Sequence, residues 1–266
     1  MLKEIPKYPR FEILNDKING RIPVSKIWSW KEILSKDIFT FKNQFIFRGQ
    51  QKSEWELTPS LGRYNKLGHV TKEIAEIQLH NFKQATRGRI EDYSLTEDRY
   101  EDELWAVGQH LGLHTPLLDW TYSPFVALFF AFLKKDDNSD YRAIYALNKD
   151  YVLSINDDRI RLLEPQRDSY GRLVNQAGLF TICDYNTTIE NALFDTMSET
   201  LSEEDVDFDN PQNMSEYIFK LYIKNIGRKE CLDCLRTMNI HHGSLFPDMY
   251  GASEYCNLIL SDELKR

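Results

Sequence analysis

Ser123-Pro124-Phe125-Val126-Ala127-Leu128-Phe129-Phe130-Ala131-Phe132 constrains the fold more than any other stretch of the chain. Eight successive apolar residues follow a proline and a serine. The proline's fixed φ suits the first position of a helix, and the serine hydroxyl can accept from a free amide of the first turn. A helix that is apolar all round is a buried helix, so the rest of the chain has to wrap this one. Just before it lies the opposite kind of sequence. Gly108-Gln109-His110-Leu111-Gly112-Leu113-His114-Thr115-Pro116-Leu117-Leu118-Asp119-Trp120-Thr121-Tyr122 crowds hydrogen-bonding side chains between that helix and the apolar Leu104-Trp105-Ala106-Val107. Polar residues carried on a rigid apolar scaffold are where sites are built. A second signal is Phe45-Ile46-Phe47-Arg48-Gly49-Gln50, an arginine ending an apolar, strand-like run. A guanidinium placed there must find an anion or a buried partner.

Elsewhere the chain is legible as helix candidates followed mostly by strand candidates. Ile27, Trp30, Ile33 and Leu34 fall at helical spacing within 24–36, with Ser25 as N-cap, and predict a helix before the Arg48 strand. Lys72 to Ala85 repeats apolar residues every three and four positions behind Thr71, which predicts a capped helix. Another is expected over 97–110, and the run 124–134 supplies the buried one. After the polar turn 134–140, Tyr141 to Leu147, Gly178 to Cys183 and Tyr217 to Ile223 have the β-branched and aromatic content of strands. Two last helices are expected at 229–238 and 250–263. Helices first and strands later suggest α+β, with a small mixed or antiparallel sheet and a largely helical N-terminal half.

The 266 residues, 42% hydrophobic and 13% aromatic, are ample for one packed core. A single domain over 1–266 is expected, with 1–20 as an N-terminal extension and 198–212 as an acidic, solvated loop. A net charge of −8 argues against broad, nonspecific DNA or RNA binding, which needs a basic face to displace counterions. Met1 to Pro6 carries a positive charge without an apolar h-region. No window approaches the ~18 apolar residues of a membrane span, so a cytoplasmic protein without membrane association is expected. Four cysteines are too few for a secreted disulfide scaffold. Cys183 and Cys256 sit in apolar contexts and read as core. Cys231-Leu232-Asp233-Cys234 with His241 and His242 has the outline of a zinc site but lacks a second tight pair. A helix with both sulfurs inward, and no metal, is the expectation.

Several residues carry candidate chemistry. Arg48 offers a planar fork of donors for phosphate or carboxylate, and Gly49 removes the Cβ that would obstruct a ligand; pairing of Arg48 with Asp119 is the structural alternative. His110 is a titratable group beside Gln109, and Asp119 can orient it or accept from Arg48. Its alternative is a core imidazole tied to backbone. Thr115, Thr121 and Ser123 offer hydroxyls, Ser123 equally a helix cap. Gln176 precedes a strand and can present its head to a cleft. Glu164 reads as a turn charge, and Asp248 as the cap of the last helix. Trp105, Trp120, Phe129 and Phe130 read as core.

Phe47-Arg48-Gly49, Trp55-Glu56-Leu57-Thr58-Pro59-Ser60-Leu61, the block 109–121, Gln176 to Thr181 and Ser244 to Asp248, in this order, resemble the FRG domain family over roughly 20–260. Three positions depart from its pattern. His114 and Pro116 stand where Pro and Arg are expected before Leu117-Leu118-Asp119-Trp120-Thr121. Tyr250 stands where an acidic residue follows Asp248. The order of parts is also similar to arginine-type ADP-ribosyltransferases, in which a strand Arg holds NAD and a Ser/Thr-Xaa-Ser segment precedes an apolar helix. A later Glu promotes transfer there. Arg48, Thr121-Tyr122-Ser123 and Gln176 would take these places, Gln176 without the carboxylate. That resemblance implies NAD as substrate, with catalytic roles for Arg48, His110 and Asp119. Arg48, Gly49, Gln109, Thr115, Thr121, Ser123 and Gln176 would bind the nucleotide. It also implies a protein or RNA acceptor and a toxin or phage-defence setting. The alternatives are a noncatalytic module for a small anionic nucleotide or a phosphorylated partner, and a nuclease resting on His110 and Asp119.

Overall fold

Among the described residues seven strands form one mixed sheet: β1 (Val24–Ile27), β2 (Phe45–Gln50), β3 (Leu118–Thr121), β4 (Tyr141–Asn148), β5 (Ile160–Leu163), β6 (Gly178–Cys183) and β7 (Ile218–Lys224). Their order is β1-β7-β4-β2-β3-β6-β5, with β1 parallel to β7 and every other neighbour antiparallel. The helices in chain order are α1 (Lys72–Ala85), α2 (Glu101–His110), α3 (Pro124–Phe132), α4 (Lys149–Ile155), α5 (Arg172–Gln176), α6 (Ile189–Thr200), α7 (Pro211–Met214), α8 (Arg228–Thr237), α9 (His242–Leu245) and α10 (Met249–Glu263). This computed structural model describes residues 10–14, 20–34, 44–66, 68–155, 157–168, 171–201 and 206–263.

The run that dominates the sequence is α3, opened by Pro124 and capped by the Ser123 hydroxyl, which accepts from Val126 N. Val126, Ala127, Leu128, Phe129, Ala131 and Phe132 are all buried. Alternation along β2 sends Phe45 and Phe47 toward α3, together with Phe219, Leu221 and Leu235, while Ile46 joins Tyr145, Leu147, Leu193 and Met197 in a second cluster. A third cluster, around Leu79, Leu104, Trp105, Leu117 and Phe180, seats α1 and α2 against the β3–β6 end of the sheet.

The fold is α+β, but two expectations are corrected. The sheet is not small, and the N-terminal half is not largely helical, because β1, β2 and β3 all lie within it. The helix expected over 24–36 is β1 followed by a short 3-10 turn at Trp30–Leu34. Parallel pairing of Val24 to Ile27 with β7 satisfies this backbone. Ser25 is buried instead of capping, and Glu32 accepts from the amides of Trp28 and Ser29. Residues 35 and 36 lie outside the described residues. Thr71 caps α1 by accepting from Ile74 N, as its sequence indicates. The stretch read as an acidic loop begins inside α6 and ends in α7, with 202–205 outside the described residues. Of the proposed N-terminal extension, 1–9 and 15–19 also lie outside them.

Cys231 is fully buried and Cys183 half-buried, whereas Cys256, expected in the core, is exposed on α10. His241 accepts from Ser244 N and stacks on Tyr255; His242 stacks on Phe246. Among the described residues no helix is long and apolar enough to cross a membrane.

Candidate functional site

β2 pairs with β4 through all of 45–50, but with β3 only through Phe47 and Thr121. Past that pair the two strands part, since Leu118 to Thr121 instead keep register with β6. The gap opens into a cleft of about 890 Å³, within the range of small-molecule sites. The cleft is bordered by the Arg48 end of β2, the segment 54–58, the end of α2, Asp119 to Thr121, α5, and Phe130 and Phe246.

Arg48 bridges the parted strands. Its Nη1 donates to the Asp119 carbonyl at 2.8 Å and to Asp119 Oδ2 at 3.4 Å, where a strand ladder would otherwise have continued. The side chain is 15% exposed. Burial lowers its pKa, Asp119 opposes that shift and Arg63 adds to it; the guanidinium stays protonated regardless. Among the described residues Arg48 Nε has no hydrogen-bond acceptor. A buried cation with an unspent donor is costly unless something else meets it.

Asp119 is held from the other side by Gln109 Nε2, at 2.7 Å from Oδ1. Gln109 Oε1 in turn accepts from the Thr115 hydroxyl, which also accepts from Leu117 N. Thr115 is fully buried off the cleft and fixes Gln109, which in turn holds Asp119. Ser123 likewise lies off the cleft as the α3 cap. Thr121 borders it, but its hydroxyl donates to Gln176 O at 2.6 Å and accepts from Ser123 N. Gln176 also borders it, with Nε2 donating to Leu245 O at 3.0 Å, which ties α9 to α5. Gly49 is required for packing: a Cβ there would lie 1.8 Å from Ala127 O.

His110 ends α2 on the cleft wall, and burial followed by the Arg172 charge lowers its pKa, so the imidazole is neutral near pH 7. Arg172 donates to His110 O and through Nε to Asp248 Oδ2 at 2.9 Å. Asp248 accepts Gly251 N through Oδ1 and so caps α10, and this amide bond, then Arg172, holds its pKa below 3.8. Because the folded value lies below the unfolded one, this pair stabilises the fold above the ordinary carboxylate pKa and is lost as pH falls through the folded value. Asp248→Asn should accordingly lower stability at neutral pH and flatten the acid limb below about pH 4. Urea unfolding at several pH values reads this; an unchanged acid limb rules it out.

Sequence reasoning missed Gln50, Glu54, Arg63, Arg167, Asp168 and Arg172, all on the cleft. Gln50 carried a signal, standing two residues beyond Arg48 on the same strand face. The others had none, since they arrive from turns and short helices distant in sequence. Phe130, read as core, is half-buried and borders the cleft, whereas Trp105, Trp120 and Phe129 are buried as expected. Glu164 accepts from the Tyr122 hydroxyl.

The family model for the FRG domain matches residues 43–140, from the approach to β2 to the start of β4. The chain carries an FRG domain. No curated protein and no solved structure matches the chain. The FRG match takes in Arg48, Gly49, Gln109, His110, Thr115, Asp119, Thr121 and Ser123, while the wall made by Arg172, Gln176 and Phe246 lies beyond it.

Proposed function

We propose that the FRG cleft binds a nucleotide of the NAD type and uses it as an ADP-ribosyl donor to a protein or RNA acceptor. The observation that carries this reading is the buried Arg48 guanidinium, aimed across the gap between β2 and β3 with Nε unspent. Arg63, Lys134 and Arg167 add positive charge along the same cleft in a chain that is acidic overall. Arg48, Thr121 and Gln176 also sit on or beside three neighbouring strands, β2, β3 and β6, in the order the transferase resemblance requires. Transfer needs donors on the pyrophosphate, a grip on the leaving nicotinamide, and negative charge facing the ribose carbon. Arg48 supports the first, and Trp55, Phe130 and Phe246 offer apolar walls for the second. For the third, Asp119 is spent on Gln109 and Arg48, which leaves Glu54, Glu56 and Asp168 as the other lining carboxylates.

A second reading, a noncatalytic nucleotide-binding module, is favoured by Gln176: no carboxylate stands there, and its amide is committed to Leu245 O. Incubation of the protein with NAD labelled in the adenylate half, together with cell extract, separates the two. Label transfer with nicotinamide release is expected; saturable NAD binding without release supports the module, and the absence of both rejects NAD.

A further inference from the structure

Gln50 is 5% exposed, lines the cleft, and stands two residues after Arg48 on β2. Its Nε2 donates to Glu56 O at 3.0 Å. That bond fixes which end of the amide is which, because a carbonyl oxygen can only accept. The segment receiving it is itself anchored, since Tyr145 donates its hydroxyl to Trp55 O at 2.9 Å and Lys220 donates to Ser53 O and Trp55 O. Gln50 Oε1 is thus a fixed acceptor, and among the described residues it has no donor. Arg48 Nε, a donor without an acceptor, belongs to the same strand face.

A donor and an acceptor two residues apart on one strand face together call for a ligand that carries both an acceptor and an N–H. Phosphate offers only acceptors and would satisfy Arg48 while leaving Gln50 bare. A planar carboxamide, or the edge of an amino-substituted base, adds the N–H that Gln50 Oε1 can accept and leaves the phosphate of the same nucleotide to Arg48. Building on the nucleotide reading of the cleft, we infer that Gln50 is a specificity-determining residue that accepts an amino N–H from the bound ligand. The cleft then selects the amino-bearing nucleotide over its counterpart lacking that N–H. The N–H belongs either to a nicotinamide-type carboxamide or to an adenine-type amine.

Calorimetry on the full chain with two matched pairs tests this: NAD against its nicotinic acid counterpart, and AMP against purine riboside 5′-monophosphate. The wild type should bind the amino member of one pair about ten- to a hundredfold more tightly, the effect of leaving one buried acceptor unmet. Gln50→Leu should erase that preference, and the discriminating pair identifies the source of the N–H. Equal affinity for both members of each pair in the wild type overturns the inference while NAD binding stands, as does a preference that survives Gln50→Leu. In either case a trapped water, not a ligand, meets Oε1. Discrimination within the AMP pair alone, with no binding of NAD, supports Gln50 and removes the NAD reading. No binding of any of the four removes both.

Discussion

Gly49→Ala is expected to cost about 3 kcal/mol or more of folding stability. The added Cβ would sit 1.8 Å from Ala127 O and 2.7 Å from Ala131 N. Both are backbone atoms of α3, and backbone cannot turn aside as a side chain can. Nor can the helix retreat as a body, because Val126, Leu128, Phe129 and Phe132 are buried around it. Gly108→Ala makes the useful contrast: its nearest neighbour would be Leu113 Cδ2 at 2.7 Å, the end of a flexible side chain, so its loss should be smaller. Urea unfolding of both variants reads the difference. A Gly49→Ala protein that unfolds with the wild type would mean that α3 does not press on β2 as described. The result also bears on how the Phe-Arg-Gly motif works. Strand alternation turns Phe47 and Gly49 to the α3 side and leaves Arg48 to the cleft, so two of its three residues seat the sheet on its central helix.

The parts of this arrangement that sequence made legible are those written in local chemistry. Thr71, Ser123 and Pro124 are capping and helix-start signals that act within one turn, and they delimit α1 and α3. Arg48, His110 and Asp119 were recognisable because polar groups beside long apolar runs need partners, and all three line one cleft. What stayed hidden depends on distant chain. Ile27 shares a helical spacing with Trp30, Ile33 and Leu34, yet the hydrogen bonds of Val24 to Ile27 come from β7, almost two hundred residues away, and pairing outweighs local preference. Leu118 to Thr121 reads as a polar loop because only its partnership with β6 makes it a strand. Side-chain types at a site were easier to name than their tasks. Thr115, Thr121 and Ser123 were each plausible ligand contacts, but each hydroxyl is consumed holding another group in place. Gly49 borders the cleft as its sequence context suggests, and the contact with α3, which only the fold reveals, adds a second reason for the missing Cβ.

Arg48→Ala should weaken nucleotide binding about a hundredfold or more while the protein still folds. The guanidinium lies where β2 and β3 part, and it reaches Asp119 with Nη1, leaving Nε for a ligand. Arg48→Lys should not restore binding. An ammonium is a compact point donor that cannot reach across to the Asp119 carbonyl and serve a second acceptor in the same plane. Loss of the bond to Asp119 O will lower stability as well, so binding must be measured well below the melting temperature of each variant. Asp119→Asn separates the two effects. It removes the charge that Arg48 faces but leaves Gln109 and the strand carbonyl, and because the Asp119 carboxylate is exposed it should cost about 1 kcal/mol or less of stability, while nucleotide affinity falls much less than in Arg48→Ala. If the two variants instead lose affinity in proportion to their loss of stability, Arg48 is a strut between two parted strands, and the anion-binding role assigned to it has to be abandoned.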